Sequence, residues 1–254
     1  MPEQVEASMV VTGTIGVDPQ GKVTAYTIDH LEKLPPVIVD LLGKDVPSWA
    51  FQLVLRDGKP VASKTDMSLR LVARAVGDGK FQIAVRSAWF GDPSQGIRKE
   101  TSAPPRYPKQ AIRGRVEGTV YLVMRIDRSG KVADVAAQQV DLRVAAGDEE
   151  MKHWRDVFAK ATVESARAWT FTPADPSDHA LYRDVRVPVA YELVQGPLAK
   201  KPAYGQWETY VPGPLEPVPW SDADQMLTGG VDALPDDGVY GAPSLSLLTP
   251  LDRS

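Results

Sequence analysis

One short turn motif occurs twice in this chain and constrains the fold more than any other feature. Residues 18–23 read DPQGKV and residues 127–132 read DRSGKV, so Asp, Gly, Lys and Val recur at the same spacing. An Asp at the first position and a Gly at the fourth suit a type I turn relieved by a glycine. Each motif therefore predicts a β-hairpin, and the two halves of the chain are expected to follow the same plan.

A helix is predicted after each hairpin. In the first half, Pro36 suits the first turn of a short helix that runs to about Gly43. In the second half, apolar and small residues recur at three- and four-residue spacing, which is typical of a helix with one face on a sheet. The predicted stripe consists of Met151, Trp154, Phe158, Ala161, Ser165 and Ala168.

Aromatic landmarks and an alternating strand complete the two units. Trp49 and Phe51 follow the first helix as Trp169 and Phe171 follow the second, and for the latter pair a core position is the better interpretation. Residues 185–191 alternate as a half-buried strand does. The predicted fold class is α+β: two tandem small domains, each an antiparallel sheet packed with one helix, followed by a Pro-rich tail. The predicted boundaries are 9–90, 101–196 and 197–254.

Composition and missing residue types exclude several classes of function. The net charge is −4 without a basic block, so neither nucleic acid nor anionic membrane is an expected partner. Cysteine is absent, and the three histidines are far apart in sequence, so neither a disulfide nor a metal site is predicted. The stretch GVDPQGKV departs from a phosphate loop, because Val23 begins a strand where that loop needs Ser or Thr and a helix. We expect no enzyme and no cofactor.

The N-terminal residues show no targeting signal. MPEQVEASMVVTG lacks the basic start and apolar run of a signal peptide, and no stretch approaches the length of a membrane span. The chain as it stands is expected to be soluble, and export would require a leader that has been removed.

The last part of the chain differs from the rest in composition. Nine of the last 58 residues are proline, and acidic residues outnumber basic ones eight to three. The aromatic residues leave two interpretations open, a flexible tether and a segment that docks. We predict that part of Ala203–Trp220 folds back on the domains, because covering the open edge of the last strand would protect it, with at most a short paired stretch such as Trp207–Val211. The aromatic side chains expected to supply the contact are Tyr204, Trp207, Tyr210 and Trp220.

The second unit resembles the C-terminal domain of the TonB family, the periplasmic energy transducers of Gram-negative bacteria. The residues that carry the resemblance are Tyr107 and Pro108, Ala111, Gly118 to Val120, the Asp127 turn, Trp169, Phe171, Pro173 and Ala174, and Val187 to Leu193. The first unit resembles a degenerate copy that keeps the turn and Ser48 to Phe51 but has no Tyr-Pro loop.

The resemblance implies a two- or three-stranded antiparallel sheet whose last strand presents a free edge to the extended TonB-box peptide of an outer-membrane transporter. This mode of binding is β-augmentation, in which unpaired backbone groups of an edge accept another strand. Pro188 agrees with an edge position, because proline within a strand is confined to edges. The implied partner-binding residues are Arg106, Tyr107, Pro108, Val185, Val187, Val189 and Tyr191. The implied location is the periplasm of the Gram-negative envelope, with a protein partner and only indirect contact with the membrane.

The sequence also departs from the family. Family transducers carry an N-terminal membrane helix and a Pro-rich spacer, which this sequence lacks before its first domain, and their domain ends the chain or nearly so. Two alternatives therefore stay open. The chain is the soluble part of a proton-motive-force transducer whose anchor was removed, or it is a structural or assembly protein whose edges pair domains or form a homodimer.

Overall fold

The computed structural model describes residues 5–93, 97–175, 177–193, 203–220, 230–236 and 238–251. Within these ranges the chain forms two sheet-and-helix units and a C-terminal segment that packs on both. No helix in this part of the chain has the length and apolar character needed to cross a membrane. The antiparallel sheets with few helices confirm the predicted α+β class.

The first unit is built around one large antiparallel sheet. Its elements are β1 (Glu6–Val17), β2 (Val23–Ile28), α1 (Pro36–Asp45), β3 (Leu55–Arg56), β4 (Lys59–Pro60), β5 (Ser63–Gly77) and β6 (Lys80–Phe90). β1 pairs with β2 and β5, and β5 pairs with β6. One further strand from the C-terminal segment gives this sheet five strands, more than the resemblance implies. α1 continues past Gly43 to Asp45, since one glycine costs a helix only about 1 kcal/mol.

The second unit has a smaller sheet. Its elements are β7 (Lys99–Thr101), α2 (Lys109–Gly114), β8 (Gly118–Asp127), β9 (Val132–Leu142), α3 (Asp148–Ala166), β10 (Thr170–Phe171) and β11 (Tyr182–Tyr191). The main sheet has three strands in the order β11-β8-β9, and β7 pairs with β10 beside it. α3 packs against the sheet over a buried apolar cluster, to which Trp169 and Phe171 belong.

The buried stripe of α3 differs from the predicted one. Phe158 faces the sheet as predicted, but the buried positions that follow it are Thr162 and Ala166, so the stripe predicted over residues 161–168 is wrong. The Thr162 hydroxyl donates to the carbonyl of Phe158 at 2.7 Å and lies 2.8 Å from the Tyr191 hydroxyl. A polar residue whose hydroxyl is satisfied is therefore accepted in the core, which a pattern of apolar residues does not reveal.

The two hairpin turns share the same hydrogen bonds. In each, the N–H of the turn aspartate donates to the carbonyl of the turn lysine at 2.9 Å, and the N–H of the glycine donates to the carbonyl of the aspartate at 3.0 Å. Gly21 and Gly130 have φ of 78° and 85°, in the left-handed region that favours glycine. Their carbonyls accept the N–H groups of Phe51 and Phe171, at 2.8 Å in both units. The turn thereby fixes the segment that follows each helix.

The C-terminal segment adds a strand to the first sheet and pairs with the second. β12 (Glu208–Tyr210) pairs with Glu6–Ser8 at the start of β1. Val211 and Leu142, the last residue of β9, exchange two backbone hydrogen bonds of 2.9 and 3.0 Å. The segment thus folds back on the domains as predicted, with its paired stretch inside Trp207–Val211, but its partner strands are β1 and β9 and not the last strand, whose edge motivates the prediction. The reason is that β2 covers only the second half of β1, which leaves the first half open to β12. Residues 197–202, 221–229, 237 and 252–254 of the predicted tail lie outside the described residues.

Candidate functional site

The four side chains of β11 that the sequence predicts as partner contacts lie in the core of the second unit. Val185 and Val187 are fully buried, and Val189 and Tyr191 are 9% and 3% exposed. They belong to the same apolar cluster as the buried face of α3, because alternate residues of a strand share one face. A partner at this strand can therefore meet its backbone but not these side chains.

β11 is an edge strand, and its backbone has an inner and an outer side. β8 pairs with it over its whole length, from Tyr182 to Tyr191. On the outer side, Arg186 exchanges two backbone hydrogen bonds with Tyr240, of 2.7 and 2.9 Å. Outward backbone groups recur at every second residue of an antiparallel strand, so those of Pro188 and Ala190 point the same way as those of Arg186.

The outer side of β11 beyond Arg186 has no pairing strand among the residues that the structure describes. Pro188 presents a carbonyl to this side, and Ala190 presents both an N–H and a carbonyl. The proline removes no bond to β8, because the N–H that it lacks would point outward. The described residues thus leave a short stretch of backbone without a pairing strand at the C-terminal end of β11, where Pro188 is buried and Ala190 is half-buried.

The Tyr-Pro loop packs against that same end of β11. The Tyr107 ring meets the Tyr191 ring edge-on at a centroid distance of 5.3 Å, and its hydroxyl donates to the carbonyl of Val116 at 2.7 Å. Burial raises the pKa of Tyr107, so the hydroxyl stays protonated and donates. Pro108 precedes α2 as its capping residue, while the Arg106 side chain is exposed. Of the three predicted loop residues, Arg106 is the one that a partner reaches most readily.

Between the two units lies a buried network of polar side chains, called the seam below, which the sequence does not predict. Arg70 of β5 donates from Nε to the backbone carbonyl of Asp232 at 2.5 Å and from Nη2 to the Tyr121 hydroxyl at 3.1 Å. The Asp232 carboxylate accepts from the hydroxyls of Tyr210 and Ser87. Residues of both sheets and of the C-terminal segment therefore share one hydrogen-bond network, which holds the units against each other.

Asp141 of β9 also lies in this seam and is 4% exposed. Its Oδ1 accepts from the side-chain amide of Gln139 at 2.8 Å and from the N–H of Gly213 at 2.9 Å. Its Oδ2 is enclosed and has no hydrogen-bond partner among the described residues. Burial, and then the charge of Asp232, raise the pKa of Asp141 to about 7. The carboxyl group is therefore partly protonated near neutral pH.

A cavity of about 450 Å³ opens beside this network, between the two units and the C-terminal segment. Its lining includes Arg70, Tyr121, Asp141, Arg143, Glu208 and Tyr210. In the described part of the chain, His, Cys, Asp and Glu side chains form no group of three or more that could hold a metal ion.

One sequence signal points to the seam. The signal is a run of polar residues at the end of β9, which contains Gln138, Gln139 and Asp141. All three side chains are buried, although a strand between two packed layers is expected to be apolar. Buried polar residues of this kind need partners, but their partners Arg186 and Gly213 lie in distant parts of the sequence.

The comparisons with known proteins point to one family. The family model described as "Gram-negative bacterial TonB protein C-terminal" matches residues 103–142, which run from the Tyr-Pro loop to the end of β9. Two relatives named "Protein TonB", from Xanthomonas campestris pv. campestris strains B100 and ATCC 33913, are 30% identical over 100 residues. The matched region is 39% of this chain and 40% of each relative's length. No solved structure matches the chain.

Proposed function

We propose that the second unit, whose residues 103–142 match the TonB C-terminal family model, is a domain of this kind and binds an extended peptide or strand of an envelope protein by β-augmentation at β11. The relatives named protein TonB support a protein partner in the Gram-negative envelope and a role related to transport across the outer membrane. The matched family is non-enzymatic, so the proposed activity is binding without a chemical step.

The observation that carries the proposal is the C-terminal end of β11, where the described residues place no strand on the outer backbone side and Ala190 is half-buried. Its outer backbone groups at Pro188 and Ala190 face a side on which the described residues place no strand. Backbone hydrogen bonds supply affinity in β-augmentation, and nearby side chains supply selectivity. The buried valines of β11 pack in the apolar cluster under α3 and so hold the strand in place. In the proposal they position the backbone edge and do not contact the partner.

The Tyr-Pro loop gives the proposed site its boundary. Tyr107 is fixed by its bond to Val116 and its contact with Tyr191, so we assign it a role in shaping the end of the edge. Arg106 is exposed beside it and is the proposed selective contact, since a guanidinium group recognises carboxylates and carbonyls of a passing peptide.

Binding of TonB-box peptides tests the proposal. Labelled peptides are titrated against the full chain and against Ala190→Pro, which removes the outward N–H, with Ala190→Ser as the matched control that keeps it. We expect saturable binding that Ala190→Pro weakens about tenfold and Ala190→Ser leaves unchanged, because one hydrogen bond with its desolvation is worth about 1–2 kcal/mol. Circular dichroism establishes that both variants are folded. Flat curves for every peptide, or equal affinity of the two variants, contradict the proposal.

The alternative of an assembly protein makes a different prediction. Pairing through the first half of β1 or the end of β9 would have to displace residues 208–211, which already occupy those edges. Sedimentation at several concentrations separates the two functions: a monomer throughout argues against assembly, and a dimer that Ala190→Pro abolishes argues for it. The peptide-binding proposal applies equally to a free chain and to the soluble part of an anchored transducer.

A further inference from the structure

Residues 106–115, which form the Tyr-Pro loop and α2, carry four cations and no acid. The cations are Arg106, Lys109, Arg113 and Arg115, and all four are exposed. The net charge of −4 describes the whole chain and conceals this local excess of positive charge. The segment therefore attracts anions, although the chain as a whole is acidic.

The described residues do not neutralise these cations. None of them forms a hydrogen bond or an ion pair with any of the four side chains. The acids nearest in sequence are Glu100 and Glu117, and Oε1 of Glu117 accepts the N–H of Leu193 at 2.6 Å. The net charge predicts no anionic membrane as a partner, because that sum does not show how the fold distributes acids around this segment.

The backbone holds the segment in a defined conformation. Ala111 is fully buried, the N–H of Ile112 donates to the carbonyl of Pro108 at 3.1 Å, and the N–H of Val116 donates to that of Ala111 at 3.0 Å. Arg115 caps α2 with a φ of 52°, in the left-handed region where glycine is favoured and an arginine is strained. An arginine at such a position is a reason to look for a function of its side chain.

Apolar groups accompany the cations. Ile112 is 47% exposed and lies on α2 between the cationic positions. Trp154 of α3 is half-buried at the border of the segment, where a Cβ built on Gly114 would lie 3.2 Å from its ring. Cations beside an exposed aliphatic residue and a tryptophan are typical of surfaces that meet lipid headgroups. The apolar groups enter the acyl boundary while the charged ends of Lys and Arg stay at the phosphates.

The arrangement of the cations favours a lipid surface over a specific protein partner. Specific binding is strongest when hydrogen bonds within the protein already hold the recognising side chains in place, and among the described residues nothing holds these four. Residues 106–115 also line neither the cavity at the seam nor the smaller one beside Trp89. Cations of this kind gain most from the summed field of many anions, which an anionic bilayer provides.

We infer that residues 106–115 bind the surface of an anionic lipid bilayer, with Lys109, Arg113 and Arg115 at the phosphate groups and Ile112 at the boundary of the acyl chains. This binding goes beyond the proposed function, because it requires neither β11 nor a protein partner. Arg106 borders both sites, so the variants that test the inference leave it unchanged.

Cosedimentation with lipid vesicles tests the inference. The full chain is mixed with vesicles of phosphatidylcholine that contain about 30% phosphatidylglycerol, and with vesicles of phosphatidylcholine alone. We expect binding to the anionic vesicles only. The binding should be lost as the salt concentration rises from about 0.05 M to about 0.5 M, because salt screens the attraction between exposed charges.

Two double variants show whether the location of the charge matters. Lys109→Gln/Arg113→Gln removes two cations from α2 and replaces them by good helix formers. We expect it to bind anionic vesicles about thirtyfold more weakly than the wild type. The matched control, Arg56→Gln/Lys80→Gln, makes the same change in charge at exposed positions of the first unit and should bind nearly as the wild type does.

Arg115→Gly separates binding from folding. Glycine relieves the strain of a positive φ, so this variant should keep or raise the temperature of thermal unfolding. It removes one cation, so we expect it to bind anionic vesicles about fivefold more weakly. A variant that folds at least as well but binds less shows that the side chain serves the surface and not the fold.

The outcomes that overturn the inference are distinct. Equal binding to vesicles with and without phosphatidylglycerol contradicts it, as does equal weakening in the first-unit control. Binding to hexaglutamate without binding to vesicles also overturns it and would assign the segment to an acidic protein partner. Ala190→Pro should leave vesicle binding unchanged. Vesicle binding without peptide binding therefore supports this inference while the proposed function fails.

Discussion

Replacing Asp141 by asparagine should remove a loss of stability that the wild-type protein undergoes between about pH 4 and pH 7. The carboxyl group is buried between the two units, where its Oδ1 accepts the N–H of Gly213 and the amide of Gln139. Asparagine keeps an oxygen for these two donors but cannot ionise. The substitution therefore separates the cost of the charge from the value of the hydrogen bonds.

The size of the effect follows from the pKa of Asp141, which rises from 3.8 to about 7 because of burial and, second, the charge of Asp232. Below pH 3.8 the group is protonated in both the folded and the unfolded chain, so it causes no pH dependence. Above that value the unfolded chain loses the proton while the folded chain keeps it. The free energy of unfolding then falls by about 1.4 kcal/mol per pH unit. The loss reaches about 4 kcal/mol and is complete once the pH passes about 7.

Urea unfolding of the wild type and Asp141→Asn at constant ionic strength measures this difference. Titrating groups that the two proteins share cancel when the free energies are subtracted at each pH. We expect the difference to change by a few kcal/mol in favour of the variant from pH 4.5 to pH 8, with most of the change below pH 7. If the free energy of unfolding changes with pH in the same way for the two proteins, the argument that ionised Asp141 destabilises the folded state is refuted.

Two further predictions concern the second hairpin turn. Gly130→Ala should destabilise the protein more than Gly77→Ala. Both positions have positive φ, but only at Gly130 would a Cβ collide with a backbone carbonyl, that of Phe171. Thermal unfolding of the two variants measures the difference in destabilisation, and an equal loss of stability in both would contradict the prediction. Asp127→Asn should reduce the fall in the free energy of unfolding at acidic pH. Hydrogen bonds from Ser129 lower the pKa of the Asp127 carboxyl, and the stability that they provide is lost as the pH falls through that lowered pKa. An unchanged acid limb in urea titrations would show that the turn does not depend on the ionised carboxyl.

The sequence predicts those parts of the fold that depend on local chemistry. The turn motifs specify both hairpins because an aspartate that accepts backbone N–H groups and a glycine with positive φ are sufficient to form the turn. α3 is predicted by its period, and the alternating residues 185–191 lie within β11. Each of these features uses residues that are close together in the chain.

Features that depend on distant residues are not predicted from the sequence. The seam joins Arg70 to Tyr121 and Asp232, and no local pattern relates these positions. The partner of β12 is likewise set by the unequal lengths of β1 and β2, which become apparent only once both strands are placed. The predicted contacts at Val185 to Tyr191 have the same limit, because an apolar strand pattern does not distinguish side chains that bind a partner from side chains that support an edge.

The sheet edges of the chain differ in how far its own strands cover them. Exposed edges promote aggregation, and proteins cover them or keep them short. Here β6 covers β5, β12 covers the start of β1, and Val211 pairs at the end of β9. β2 is short, with six residues that include two exposed threonines. β11 has ten residues and an apolar buried face, yet beyond Arg186 the described chain adds no strand to it. β6 and β9, with eleven residues each, likewise keep most of their outer sides without a pairing strand in the described chain, so an unpaired edge does not by itself distinguish β11. We propose the partner strand at β11 because β11 belongs to the unit in which the family match lies.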